Sequence, residues 1–117
     1  MNLRKIIFAV LLSVAASKSA RAEFFTGNHL LEICSTPKAD PGYWQSFSAC
    51  TGFIVGVSDS GSCTDPIAGF VFQVPEHVTV GQITKVITNW FNNNPQLLHL
   101  PASQLVAKAL SEGFPCR

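Results

Sequence analysis

Basic residues are scarce in this 117-residue chain, in which charged residues make up 13%. Beyond residue 22 it has four Lys and Arg against seven Asp and Glu, a formal net charge of −3. No Lys/Arg cluster is present to neutralise phosphates, so the composition argues against nucleic-acid binding. A basic protein partner remains compatible with this charge.

Catalytic motifs are also missing. The sequence has no glycine-rich phosphate loop, no H-E-x-x-H and no G-x-S-x-G. His29, His77 and His99 lie in separate segments, and Asp59 and Asp65 flank Gly61 in a stretch where Asp is common for turn geometry alone. We therefore predict that the protein is not an enzyme and needs no cofactor.

A long apolar run occurs only near the N-terminus, at residues 6–16, and it is too short to span a bilayer. Arg4 and Lys5 precede it, and Ala20-Arg21-Ala22 fits the small-x-small pattern of a cleavage site. These features predict a signal peptide at residues 1–22, a secreted or periplasmic protein and no membrane anchor after cleavage. The remaining residues 23–117 have the length of a single domain.

The four cysteines are Cys34, Cys50, Cys63 and Cys116. An even number in a short exported chain predicts two disulfides, and the absence of C-x-x-C or paired histidines argues against a metal site. A Cys50–Cys63 bridge is disfavoured, because a helix between them would hold them about 20 Å apart. The two other sets of pairings stay open.

Apolar spacing predicts a mainly α fold, a compact bundle of about four helices. The third helix has an apolar stripe and a Thr79/Gln82 capping box, and the fourth begins near Pro101 and ends near Gly113. The stripes are Ile83, Val86, Ile87, Trp90 and Phe91, and Ala102, Leu105, Val106, Ala109 and Leu110.

The first half has a weaker pattern. Asn28 is a candidate cap for a short helix that ends at Cys34, and a longer helix is expected over residues 43–58, with a strand at 53–57 as the alternative. Its apolar face is Tyr43, Phe47, Cys50, Ile54 and Val57. Gly52 and Gly56 lower helix propensity, and a close crossing by a neighbouring helix would explain them.

Residues 61–77 show no period and predict a loop held by Cys63. Aromatic residues outside the helical stripes are Trp44, Phe70 and Phe72. Exposed aromatic side chains on an acidic exported protein indicate a protein-binding surface. We take Asp65, Phe70 and Phe72 as the candidate partner-binding residues, although a loop that folds back would bury the rings.

The order and spacing of several segments resemble the Rap/Tai family of immunity proteins over nearly all of residues 23–117. The matching segments are residues 30–34, C-T-G-F-I-V-G-V-S-D at 50–59, P-E-H-V-T-V-G-Q at 75–82, 90–95, and 99–116 with its terminal A-L-x-x-x-F-P-C. The family commonly has a cysteine at the position of Gln73. Here the extra cysteine is Cys63, which we expect to take over that role.

The resemblance implies a periplasmic protein that inhibits by binding. Family members neutralise cell-wall-degrading amidase effectors of type VI secretion, often as a homodimer that occludes the active-site cleft. The expected partner is therefore a peptidoglycan amidase effector, with a possible second copy of this chain. The alternative is an acid-stress chaperone of the HdeA-like kind, which is also small, helical, exported and disulfide-bonded.

Overall fold

The computed structural model describes residues 24–117, and the predicted signal peptide lies outside them. Four α-helices follow one another: α1 at Gly27–Cys34, α2 at Tyr43–Ser60, α3 at Val80–Asn93 and α4 at Ala102–Gly113. A single 3-10 turn at Pro95–Leu97 joins α3 to α4. The described residues contain no β-strand, so the predicted mainly α fold is confirmed and the strand alternative at 53–57 is wrong.

The core forms around α4. Six of its twelve residues are buried, and three of those are alanines, which let neighbouring helices approach closely. The buried side chains of the other helices include Leu30 on α1, Ile54 on α2, and Ile83, Ile87 and Phe91 on α3. No polar or charged residue of the described chain is buried, so hydrophobic burial stabilises this core.

The ends of the helices follow the local chemistry of the sequence. At α3 the backbone N–H of Gln82 donates to Thr79 Oγ1 (3.1 Å), and that of Thr79 donates to Gln82 Oε1 (2.7 Å), which confirms the capping box. At α1 the cap is Thr26, not Asn28, because Thr26 Oγ1 accepts from the backbone N–H of His29 (3.3 Å).

Gly27 allows α1 to meet the start of α4. A Cβ at this position would lie 2.6 Å from Leu105 Cδ1 and 3.0 Å from the backbone of Leu98. Backbone hydrogen bonds join the same segments: the N–H of Gly27 donates to Leu100 O (2.9 Å) and that of Ala102 to Phe25 O (2.9 Å). Only a residue without a side chain fits this contact.

Two disulfides fix the outer segments. Cys34 at the end of α1 is bonded to Cys50 within α2, and Cys63 in the following loop is bonded to Cys116 near the C-terminus. The two predicted disulfides are therefore present, and the disfavoured Cys50–Cys63 pairing does not occur. None of the helices in residues 24–117 is both long and apolar enough to cross a bilayer.

Gly52 and Gly56 contradict the expectation of a close helix crossing. A Cβ at either position would meet nothing within 4 Å, and both residues are exposed on α2. The two glycines therefore lower the stability of α2, by about 1 kcal/mol each relative to alanine, without any compensating contact inside the described chain.

We predict opposite effects of alanine at two of these glycines. Gly27→Ala should lower the free energy of unfolding by about 1–3 kcal/mol, because the new methyl group overlaps Leu105 and the Leu98 backbone. Gly52→Ala is the matched control and should raise it by up to about 1 kcal/mol. Urea unfolding of the oxidised protein measures both, and a neutral Gly27→Ala would contradict the close contact.

The two disulfides should contribute unequally to stability. Cys63 and Cys116 are 53 residues apart, whereas Cys34 and Cys50 are 16 apart. Loop-closure entropy then gives about 4 kcal/mol for the first bridge and about 3 kcal/mol for the second. Unfolding of the paired Cys→Ser variants tests this order, and a larger loss for Cys34/Cys50 would show that native contacts outweigh chain entropy.

Candidate partner-binding surfaces

The loop between α2 and α3 begins with a turn that Asp65 organises. The backbone N–H of Asp65 donates to Ser62 Oγ (3.0 Å), and the carboxylate oxygen Oδ2 accepts from Ser62 Oγ (3.0 Å) and Thr64 Oγ1 (3.3 Å). Asp65 is exposed, so its carboxylate faces solvent while it fixes the turn.

A second tight turn follows and positions Phe70. Ile67 and Phe70 exchange backbone hydrogen bonds of 3.0 and 2.9 Å, and the turn between them requires positive φ at Ala68 (50°) and Gly69 (85°). Phe70 is half-buried, and Lys108 Nζ on α4 lies 5.2 Å from the centroid of its ring, within range of a cation–π interaction. Part of the ring remains accessible to a partner.

Phe72 is placed differently from the sequence-based expectation. Its side chain is 1% exposed and belongs to the core, so it cannot contact a partner in this conformation. The ring packs over Gly61, where a Cβ would lie 2.8 Å from Phe72 Cε1. An aperiodic segment gives no indication of which of its side chains turn inward, and Gly61 was the one signal of this contact in the sequence.

An open cleft of about 540 Å³ lies beside this loop. Its walls are the last turns of α2, the loop residues 61–64 and 72–74, and the first turn of α3. The accessible apolar part includes Val74, Val78 and Val80, and Asp59 is the one charged residue of the lining.

The outer face of α2 presents the largest exposed aromatic side chains of the described helices. Trp44 is 73% and Phe47 is 44% exposed, and their ring centroids lie 6.0 Å apart, with Tyr43 at 5.1 Å from Trp44. Phe47 was expected on the buried stripe with Cys50 and Ile54; it lies instead at the edge of that stripe, over a groove of about 450 Å³ between α2 and α3. Residues 43–58 carry no charge.

The described residues hold neither a free thiol nor a cluster of metal ligands. All four cysteines are oxidised, so no thiolate is available. Residues 24–117 contain no group of three His, Cys, Asp or Glu arranged to hold a metal ion. What the fold presents is a fixed loop, an acidic cleft and an uncharged aromatic face, and each of these is suited to binding.

A known protein family matches this chain. The family model described as Rap1a immunity proteins matches residues 26–116, which is nearly the whole described chain. No curated protein matches the sequence.

Proposed function

Because the chain belongs to the Rap1a immunity protein family, we propose that it is exported to the periplasm and neutralises a peptidoglycan amidase effector of a type VI secretion system by binding it. The family supports an immunity role, and the amidase is the target class that its known members imply. The protein would act without catalysis, by covering the effector's active-site cleft.

The observation that carries this mechanism is the fixed conformation of the loop between α2 and α3. The Cys63–Cys116 bridge, the contact of Lys108 with Phe70 and a hydrogen bond from the N–H of Gln73 to Phe114 O (2.9 Å) hold it against α4. A loop that is already ordered loses little conformational entropy on binding. It can therefore occupy a cleft as a rigid inhibitor.

The two disulfides support the proposed location in the periplasm. Disulfides of this structural kind persist in oxidising compartments such as the bacterial periplasm. The predicted signal peptide at residues 1–22 provides the route, and cell-wall amidases act in that same compartment. The charge of −3 beyond residue 22 would speed association with a basic effector.

We expect the oxidised protein to bind one member of a panel of cell-wall amidases and to abolish its lysis of purified peptidoglycan. Asp65→Lys and Phe70→Ala should each weaken inhibition by about 10-fold or more, as for residues central to an interface. Glu32→Lys on α1 is the matched control for charge reversal and should inhibit like the wild type.

Folding of each variant is checked by its helical circular dichroism before inhibition is measured. Failure of the wild type to bind any amidase would contradict the proposed function. Retention of many unfolded client proteins near pH 3, without amidase binding, would instead favour the acid-stress chaperone. Unchanged inhibition by both loop variants would place the contact surface elsewhere.

We also propose that two copies of the chain associate through the outer face of α2. Two observations support this face as the interface. Trp44 and Phe47 are exposed on it, and residues 43–58 of the helix carry no charge. An uncharged surface carries no like-charge repulsion when it meets its own copy, as a two-fold interface requires.

Sedimentation velocity tests this association. The wild type should form dimers, and Trp44→Ala and Phe47→Ala should each raise the dimer dissociation constant by about 10-fold or more, because aromatic side chains dominate interface energies. Phe24→Ala is the matched control, since Phe24 is 92% exposed and its neighbour Phe25 packs on Phe53, on a different side of α2. A wild type that stays monomeric at all concentrations would contradict this proposal.

A further inference from the structure

The cleft of about 540 Å³ beside the loop is the largest concave feature among those described, and its volume lies in the range of binding sites. It is open to solvent and combines an apolar floor with one ionisable group. Its occupant should therefore have an apolar part and a charge of defined sign.

The sign of that charge is set by Asp59. The carboxylate lies in the last turn of α2, where the helix dipole is already negative. No basic residue lies in this last turn, and none of the lining residues is Lys, Arg or His. Asp59 thus opposes the dipole of its own helix, and a cation supplied from outside would interact favourably with both.

The hydroxyl groups of the cleft are engaged within the protein. Ser58 Oγ donates to Ile54 O (2.7 Å), Ser62 Oγ donates to Asp65 Oδ2 (3.0 Å), and Thr79 Oγ1 accepts from the N–H of Gln82 (3.1 Å). Asp65, bonded to two hydroxyls of the lining, adds a second carboxylate close to the rim.

The floor suits the stem of a long side chain. Val74 and Val78, which are half-buried, and Val80, which is exposed, provide apolar surface on the loop and α3 sides of the cleft. Lys and Arg side chains bury their methylene stems on such surface while the charged group reaches a carboxylate. No shorter or anionic side chain combines the two features.

We propose that this cleft receives a lysine or arginine side chain, with its charged group at Asp59 and its stem on Val74 and Val78. We assign this side chain to the amidase effector, and that assignment rests on the proposed function. Asp59 and its cleft thereby become a second contact beside the loop residues Asp65 and Phe70.

The cleft itself is tested without any effector. N-acetyl-lysine methylamide and N-acetyl-arginine methylamide are titrated into the ¹⁵N-labelled oxidised protein, with N-acetyl-norleucine methylamide as the neutral control of similar length. Both cationic compounds should shift the amide signals of Asp59, Ser62 and Thr64 in a saturable manner, and the neutral compound should not. A larger effect of the arginine compound would indicate bidentate pairing with the carboxylate.

Two variants give the matched comparison. Asp59→Asn should weaken binding of the cationic compounds by about 10-fold, as loss of a charge-assisted contact requires. Asp40→Asn removes the same charge before the other end of α2, about 27 Å away along the helix, and should leave binding unchanged. Equal shifts from norleucine, no saturable shift, or wild-type binding by Asp59→Asn would each overturn the proposal.

The captured amidase then tests the source of the cation. Asp59→Asn should weaken inhibition by about 10-fold, while Asp40→Asn should inhibit like the wild type. If the compounds bind but Asp59→Asn inhibits normally, the assignment of the side chain to the effector is overturned. Failure of the wild type to inhibit any amidase overturns the proposed function alone, because the titration needs no effector.

Discussion

The structure depends on the burial of α4 by the other three helices. Its alanines allow close approach, and Gly27 lets the start of α1 lie against Leu98 and Leu105. Hydrogen bonds from Gly27 to Leu100 and from Ala102 to Phe25 then join the two ends of the fold through backbone atoms. A larger residue at Gly27 would separate the segments that hold this core together.

Because the core takes up no charge, the ionisable groups are left for the surface and the loop. The loop between α2 and α3 has no helix or strand of its own. It is ordered by the Cys63–Cys116 bridge to the C-terminal segment, by Lys108 of α4 over Phe70, and by burial of Phe72 in the core. The same interactions that stabilise the domain therefore also fix the conformation of its candidate binding surface. An inhibitor that acts by occlusion requires this coupling.

Local chemistry in the sequence was sufficient to predict α3 and α4, since a capping box and a regular apolar stripe depend on near neighbours alone. It was insufficient to predict that Phe72 is buried, or that no neighbouring helix crosses at Gly52 and Gly56. Whether a loop ring turns inward, or a glycine meets another helix, depends on contacts between residues distant in sequence. The pairing of Cys63 with Cys116 across 53 residues also depends on such distant contacts. Helical spacing argued only against the Cys50–Cys63 pairing.

α2 carries features of both proposed surfaces at its opposite ends. Trp44 and Phe47 lie in its first two turns and Asp59 in its last, so about 20 Å of helix separates the aromatic side chains from the acidic cleft. The uncharged stretch between them keeps Asp59 away from its counterpart if two copies meet near Trp44. Self-association and capture of a cationic side chain are therefore compatible on one helix. Self-association uses apolar contact in the uncharged first turns, and capture of the cation uses the charge of Asp59 in the last turn.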